Sequence, residues 1–150
     1  MRKILITTLL FGLLLAVSAS AVAQQSREFN DYVVHYNALR TDMLTPQITQ
    51  AYDIQRSSSR ALLNISVLKK SDSEDGPETA VAAAIAVHAA NLTGQRRDIE
   101  LREISSGDAI YYLGEFPVHN METYRFKLEV LPEGESEPLL VDFQQQFYTE

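Results

Sequence analysis

The histidines His35, His88 and His119 carry imidazole nitrogens, which are natural ligands for copper or zinc. His119-Asn120-Met121 is the most suggestive fragment, because an imidazole beside a thioether is a soft ligand pair suited to monovalent copper. His35 or Met43 completes such a site only if the fold carries it to the His119 loop. The ligands lie far apart in sequence, so the plainer reading, a loop histidine followed by a core or edge methionine, is preferred. No cofactor is expected.

A second candidate is Arg56-Ser57-Ser58-Ser59-Arg60, where hydroxyls, backbone N–H groups and two guanidinium groups together suit a phosphate or carboxylate. The chain has no glycine-rich phosphate cradle and no Gly-x-Ser-x-Gly elbow, so hydrolase chemistry at Ser57 to Ser59 has no motif behind it. A loop capping the next strand is the preferred reading. Glu103 follows Ile99 and Leu101 on a predicted inner face, where a carboxylate would act as an acid or base, unless a strand end turns it outward. Tyr111 and Tyr112 are adjacent strand residues that face opposite sides of a sheet, and an exposed tyrosine row marks a partner surface. The acidic stretches 71–78 and 133–137 lack the ligand spacing of a calcium loop and read as solvated loops.

The elements that must position these groups are mostly strands. Tyr124, Phe126, Leu128 and Val130 alternate with polar residues over 122–131, and Leu139, Val141, Phe143, Gln145 and Phe147 repeat the pattern after a Pro132-Glu133-Gly134 turn. Ile99 and Leu101 lead through Ser105 to Asp108 into 109–113, a second predicted hairpin. Residues 31–39 and 62–68 are two further strands. Thr45-Pro46 is an N-cap followed by a proline at the first helical position, and predicts one short helix near residues 46–54. The alanine-rich segment 79–91 has helix propensity, yet it also alternates at period two between turn residues and long strands, which favours strand. The sum is a mainly β chain, an antiparallel two-sheet immunoglobulin-like sandwich of about seven strands.

The N-terminus supplies an address. Arg2 and Lys3 precede an apolar run from Leu9 to Val17, and Ala21-Val22-Ala23 is a small-x-small cleavage pattern, so residues 1–23 read as a cleaved signal peptide and the mature domain, 24–150, starts at Gln24. The apolar core is shorter than the roughly 20 residues a spanning helix needs, and no later stretch reaches that length. The absence of cysteine excludes disulfides, thiolate metal sites and a lipid-modified cysteine, and fits a bacterial periplasm. The 13 basic and 20 acidic residues give a net charge of −7. Loss of Arg2 and Lys3 makes the mature chain more acidic still, so nucleic acid is not an expected partner. Arg96-Arg97 and Lys69-Lys70 read as isolated pairs at strand ends.

The strings Tyr32-Val33-Val34-His35-Tyr36-Asn37, Tyr52-Asp53-Ile54-Gln55-Arg56-Ser57, Asn64-Ile65-Ser66-Val67, Tyr111-Tyr112-Leu113-Gly114 and Phe143-Gln144-Gln145-Gln146-Phe147-Tyr148 span nearly all of residues 29–149. On them the chain resembles a family of small exported gammaproteobacterial proteins known only as a domain of unknown function. The resemblance implies export and a β-sandwich-like domain, with no activity, ligand or functional residue to transfer. The reading is therefore a periplasmic, non-enzymatic binding or interaction module whose partner is another envelope protein. A copper carrier built on His119 and Met121, and a small hydrolase, are the alternatives.

Overall fold

The computed structural model describes residues 25–150. The signal-peptide expectation, with Ala21, Ala23 and Gln24 at its cleavage point, lies outside the described residues. Among the described residues there are ten strands: β1 (Gln25–Glu28), β2 (Tyr32–Arg40), β3 (Arg60–Lys69), β4 (Thr79–Ala80), β5 (Ala83–Asn91), β6 (Arg96–Asp98), β7 (Arg102–Ser106), β8 (Ala109–Pro117), β9 (Glu122–Pro132) and β10 (Leu139–Phe147). A 3-10 turn (Thr41–Met43) and a single helix α1 (Pro46–Ala51) lie between β2 and β3. The first sheet runs β1-β2-β3-β8-β7 with β4 paired to β3, the second runs β10-β9-β5-β6, and every pairing is antiparallel.

The strand count exceeds the expected seven because β1, β4 and β6 are only two to four residues long. Segments that short show no periodicity of their own and are strands because a longer neighbour hydrogen-bonds them. One expected strand is also divided. Asp98 ends β6 in the second sheet and Arg102 opens β7 in the first, so residues 99–101 form the crossing between sheets rather than the body of a strand. Ile99 and Leu101 still point into the core, which is why the segment alternates. The alanine-rich segment is strand, with a break at Val81-Ala82 between β4 and β5.

Helix α1 starts where its cap predicts, with Thr45 Oγ1 accepting from Ile48 N–H at 3.4 Å. It stops three residues before the predicted end because Asp53 takes a left-handed φ of 51°, which no helix can continue through.

Two faces are buried. The inward rows of both sheets share one core, in which Phe126 stacks on Phe143 at 4.6 Å and Phe116 meets Tyr124, Phe126 and Phe147 edge-on at 5.7–5.8 Å. Each fully buried aromatic or aliphatic side chain contributes about 1.5–3 kcal/mol, so this layer dominates stability. The outward face of the first sheet carries a smaller cluster, Ile54, Leu62 and Leu113, packed with Leu44, Tyr52, Ile104 and Tyr111 from β7, β8 and the β2–β3 link. That link is tied down by Thr41, whose buried hydroxyl donates to Gln55 O at 2.7 Å and accepts from Ser57 N–H at 2.9 Å.

Candidate functional site

The fold does not gather the residues that looked chemical in the sequence. His35 is half-buried on the outward face of the first sheet, opposite Ser26 and Ser66. His88 lies on the outward face of the second sheet, and His119 and Met121 sit in the β8–β9 turn. Among the described residues no group of three His, Asp or Glu is placed to hold a metal ion. Met121 is 64% exposed and takes a left-handed φ of 60°, with its carbonyl accepting from Gln146 Nε2 at 3.0 Å. Beside it Glu122 accepts from Asn91 Nδ2 and from His119 N–H, each at 3.1 Å. Burial opposes the Glu122 charge, but these hydrogen bonds and one from Tyr124 outweigh it and hold the carboxyl below its ordinary range.

The Arg56–Ser59 segment is spent on structure. Arg56 donates through Nε to Leu44 O at 3.1 Å and through Nη2 to Asp42 O at 2.9 Å, and the Ser57 and Ser59 hydroxyls bond each other at 2.9 Å. Its guanidinium fastens the β2–β3 link, leaving little of it for an anion. Tyr112 is buried in the main core, its hydroxyl accepting from Ala83 N–H at 2.8 Å, while Tyr111 packs half-buried in the smaller cluster. The two rings do face opposite sides, but both sides are covered, so no exposed tyrosine row forms. Glu103 shares the row of Tyr112 and so faces inward, yet it is exposed because β7 is the edge of its sheet. It and the Ser57–Ser59 segment lie on separate elements, β7 and the β2–β3 link.

A concave surface also forms where neither motif nor composition marks one. On the outward face of the second sheet, β5 presents Ala84, Ala86, His88 and Ala90, so its middle is floored mainly by methyl groups. Longer side chains rise on both sides. Ala90 pairs with Arg96 of β6 and with Arg125 of β9, and His88 pairs with Asp98 and with Lys127. Cross-strand partners project to the same face, so these six residues form two adjacent rows across three strands. Arg97 pairs with the inward-facing Ala89 and so alternates to the other side of β6, bordering the hollow, whose volume is about 690 Å³, only at the strand edge.

The cations of this hollow stand outside any ion pair. Among the described residues the ion pairs are Arg40–Asp42, Arg60–Glu115, Lys70–Glu28 and His88–Asp98, and none involves Arg96, Arg97, Arg125 or Lys127. The one carboxylate in the hollow, Asp98, is taken by His88 Nδ1 at 2.6 Å. Arg125 is steadied by Gln144 through Nε at 3.3 Å. Asp142 stands across from Lys127 on β10 without pairing to it. Three cations, Arg96, Arg125 and Lys127, on one face of a chain of net charge −7 repel one another, and an anion laid among them relieves that repulsion. The isolated Arg96-Arg97 pair of the sequence is thus half of a cluster whose other half lies about thirty residues away. Only the β5–β6 and β5–β9 registers reveal it.

The family model described as "Domain of unknown function (DUF4426)" matches residues 26–150. Among solved structures, a DUF4426 family protein from Pseudomonas aeruginosa PAO1 is 30% identical with a TM-score of 0.70, over 83% of this chain and 94% of that one. FetP of uropathogenic Escherichia coli strain F11, isolated after recombinant expression in the E. coli periplasm, is 11% identical with a TM-score of 0.58, over 84% of this chain and 94% of its own. A copper-bound variant of the same FetP is 11% identical with a TM-score of 0.56, over 83% and 90%. At that identity the FetP structures share the fold alone. No curated protein matches the sequence. The Pseudomonas match supports the exported, periplasmic placement read from the sequence. No helix among the described residues is long and apolar enough to cross a membrane.

Proposed function

We propose that this chain, which belongs to the DUF4426 family, is a non-enzymatic periplasmic binding module whose working surface is the outward hollow of its second sheet. We read residues 24–150 as one domain, with the two sheets as an immunoglobulin-like sandwich that holds the hollow rigid from beneath. The observation that carries the reading is the unpaired cluster of Arg96, Arg125 and Lys127 beside the small side chain of Ala90. It is a surface for binding an anionic partner. The hollow holds no nucleophile paired with a base, and its one imidazole is engaged by Asp98.

Phosphocellulose at pH 7 tests it. An acidic protein has no overall attraction to that resin, so retention at low salt and release near 0.2 M, where the Debye length falls below about 8 Å, report a local basic face. Reversal of Arg96, Arg125 and Lys127 to glutamate is expected to abolish retention, and reversal of Lys69 and Lys70 to leave it. Wild-type protein in the flow-through at low salt refutes the reading.

A second reading, a copper carrier using His119 and Met121, is favoured by the exposed thioether of Met121 and by the shared fold with copper-bound FetP. Competition against a colorimetric copper(I) chelator decides it: affinity unchanged in His119→Ala and Met121→Leu rules it out.

A further inference from the structure

We infer that the trough between Arg96 and Arg125, over the methyl group of Ala90, is a subsite for one tetrahedral dianion, a phosphate group either free or as a monoester. This rests on the reading of the second sheet as an anion-binding face and goes further, from a diffuse charged surface to a stereochemically defined seat. Arg96, Ala90 and Arg125 stand side by side on three adjacent strands. With strands about 4.8 Å apart, the two arginine Cα atoms are separated by about 10 Å and their side chains rise from the same face. The residue between them has the smallest side chain that still has a Cβ. The gap is thus wide enough for a compact group and too narrow for two.

The donors favour a tetrahedral group. A carboxylate has two oxygens in one plane and saturates on a single guanidinium fork, whereas a phosphate offers oxygens toward both walls at once. Arg125 keeps its terminal nitrogens for the ligand, because its bond to Gln144 runs through Nε. Asp98 makes no ion pair with Arg96, its Oδ1 lying 2.6 Å from His88 Nδ1 instead. Lys127, one row away, adds a point charge along the trough. A dianion matches this set better than a monoanion.

Ala90 makes the inference testable apart from charge. Ala90→Leu fills the floor while leaving every cation in place. Calorimetric titration with inorganic phosphate at low ionic strength is expected to give a saturable, one-to-one isotherm for the wild-type protein. Ala90→Leu is expected to weaken it at least tenfold, Arg96→Ala and Arg125→Ala about tenfold each, and Lys69→Ala not at all. Thermal unfolding of each variant checks the fold, with Ala90→Val as a second, strand-compatible floor substitution. Parallel titration with glycerol 1-phosphate separates the sources: equal affinity assigns free phosphate, and tighter binding of the ester assigns a phosphomonoester. Phosphate binding by Ala90→Leu and Ala90→Val at wild-type strength overturns the subsite, as does a wild-type protein that does not saturate with phosphate. In either case retention of the wild-type protein on phosphocellulose keeps the broader reading standing, so the two fail separately.

Discussion

Gly114→Ala tests the joint that sets β6, and so Arg96 and Asp98, in place. Gly114 is buried on the inward row of β8 between Tyr112 and Phe116, where residues 99–101 cross from the second sheet to the first. A Cβ at this position would lie 2.6 Å from Ile99 Cγ2, 2.8 Å from Leu101 Cδ2 and 2.9 Å from Glu100 O. The two methyl groups can turn aside only partly, since Ile99 is 6% exposed and sits in the main core. The carbonyl is backbone and moves only if the crossing moves. Overpacking of this kind costs about 1–3 kcal/mol, and loss of unfolded-chain freedom on replacing glycine returns about 0.4–1 kcal/mol. A net destabilisation of about 1–2 kcal/mol is expected, lowering Tm by roughly 4–10 °C for a domain of this size. Thermal and urea unfolding of the wild-type protein and Gly114→Ala measure it. Leu101→Ala alone is expected to cost stability, and in the double variant to cost less than the sum, because the Cδ2 clash is gone. A Gly114→Ala protein as stable as wild type, or strictly additive variants, refutes a tightly packed crossing.

Three further outcomes follow from the same reasoning. Thr41→Val removes the buried hydroxyl that bonds both the Gln55 carbonyl and the Ser57 N–H of the β2–β3 link and is expected to cost about 1–3 kcal/mol in urea unfolding. Glu122 is held below its ordinary carboxyl range in the folded state, so its contribution to stability is fully present above the unfolded value and is lost as pH falls through the folded one. Glu122→Gln is therefore expected to show a shallower loss of stability on acidification than wild type, measured by urea unfolding between pH 6 and 3, and an unchanged slope counts against the hydrogen-bonded carboxylate. Met121→Gly relieves a left-handed residue whose side chain is largely in solvent, and is expected to raise stability by a few tenths to about 1 kcal/mol in thermal unfolding.

The long strands were legible because side-chain alternation is a local consequence of the pleat. Tyr124, Phe126, Leu128 and Val130 all fall on the core side of β9, and the turn after Pro132 joins it to β10 in the register Leu139 with Val130. The short helix was legible from its Thr45-Pro46 start, but its end was set by the backbone of Asp53. Residues 98–103 were harder, since a crossing that points Ile99 and Leu101 at the core has the same pattern as a strand. The alanines of 79–91 were readable as strand, but not as the floor of a hollow, because a small side chain has meaning only beside what stands next to it.

The export signature and the period-two segments are written in residues close together in the chain, and the acidic balance and lack of cysteine in its composition. Which face of each strand meets which neighbour is settled only by the folded chain. Folding buried Tyr112, committed Arg56 to carbonyls and kept His35, His88 and His119 on separate elements. It also set Arg96 and Arg125 on either side of Ala90. The physical reason is that strand pairing is non-local: hydrogen bonds between backbones fix the register whatever the side chains between them, so charges far apart in the chain become neighbours without leaving a motif.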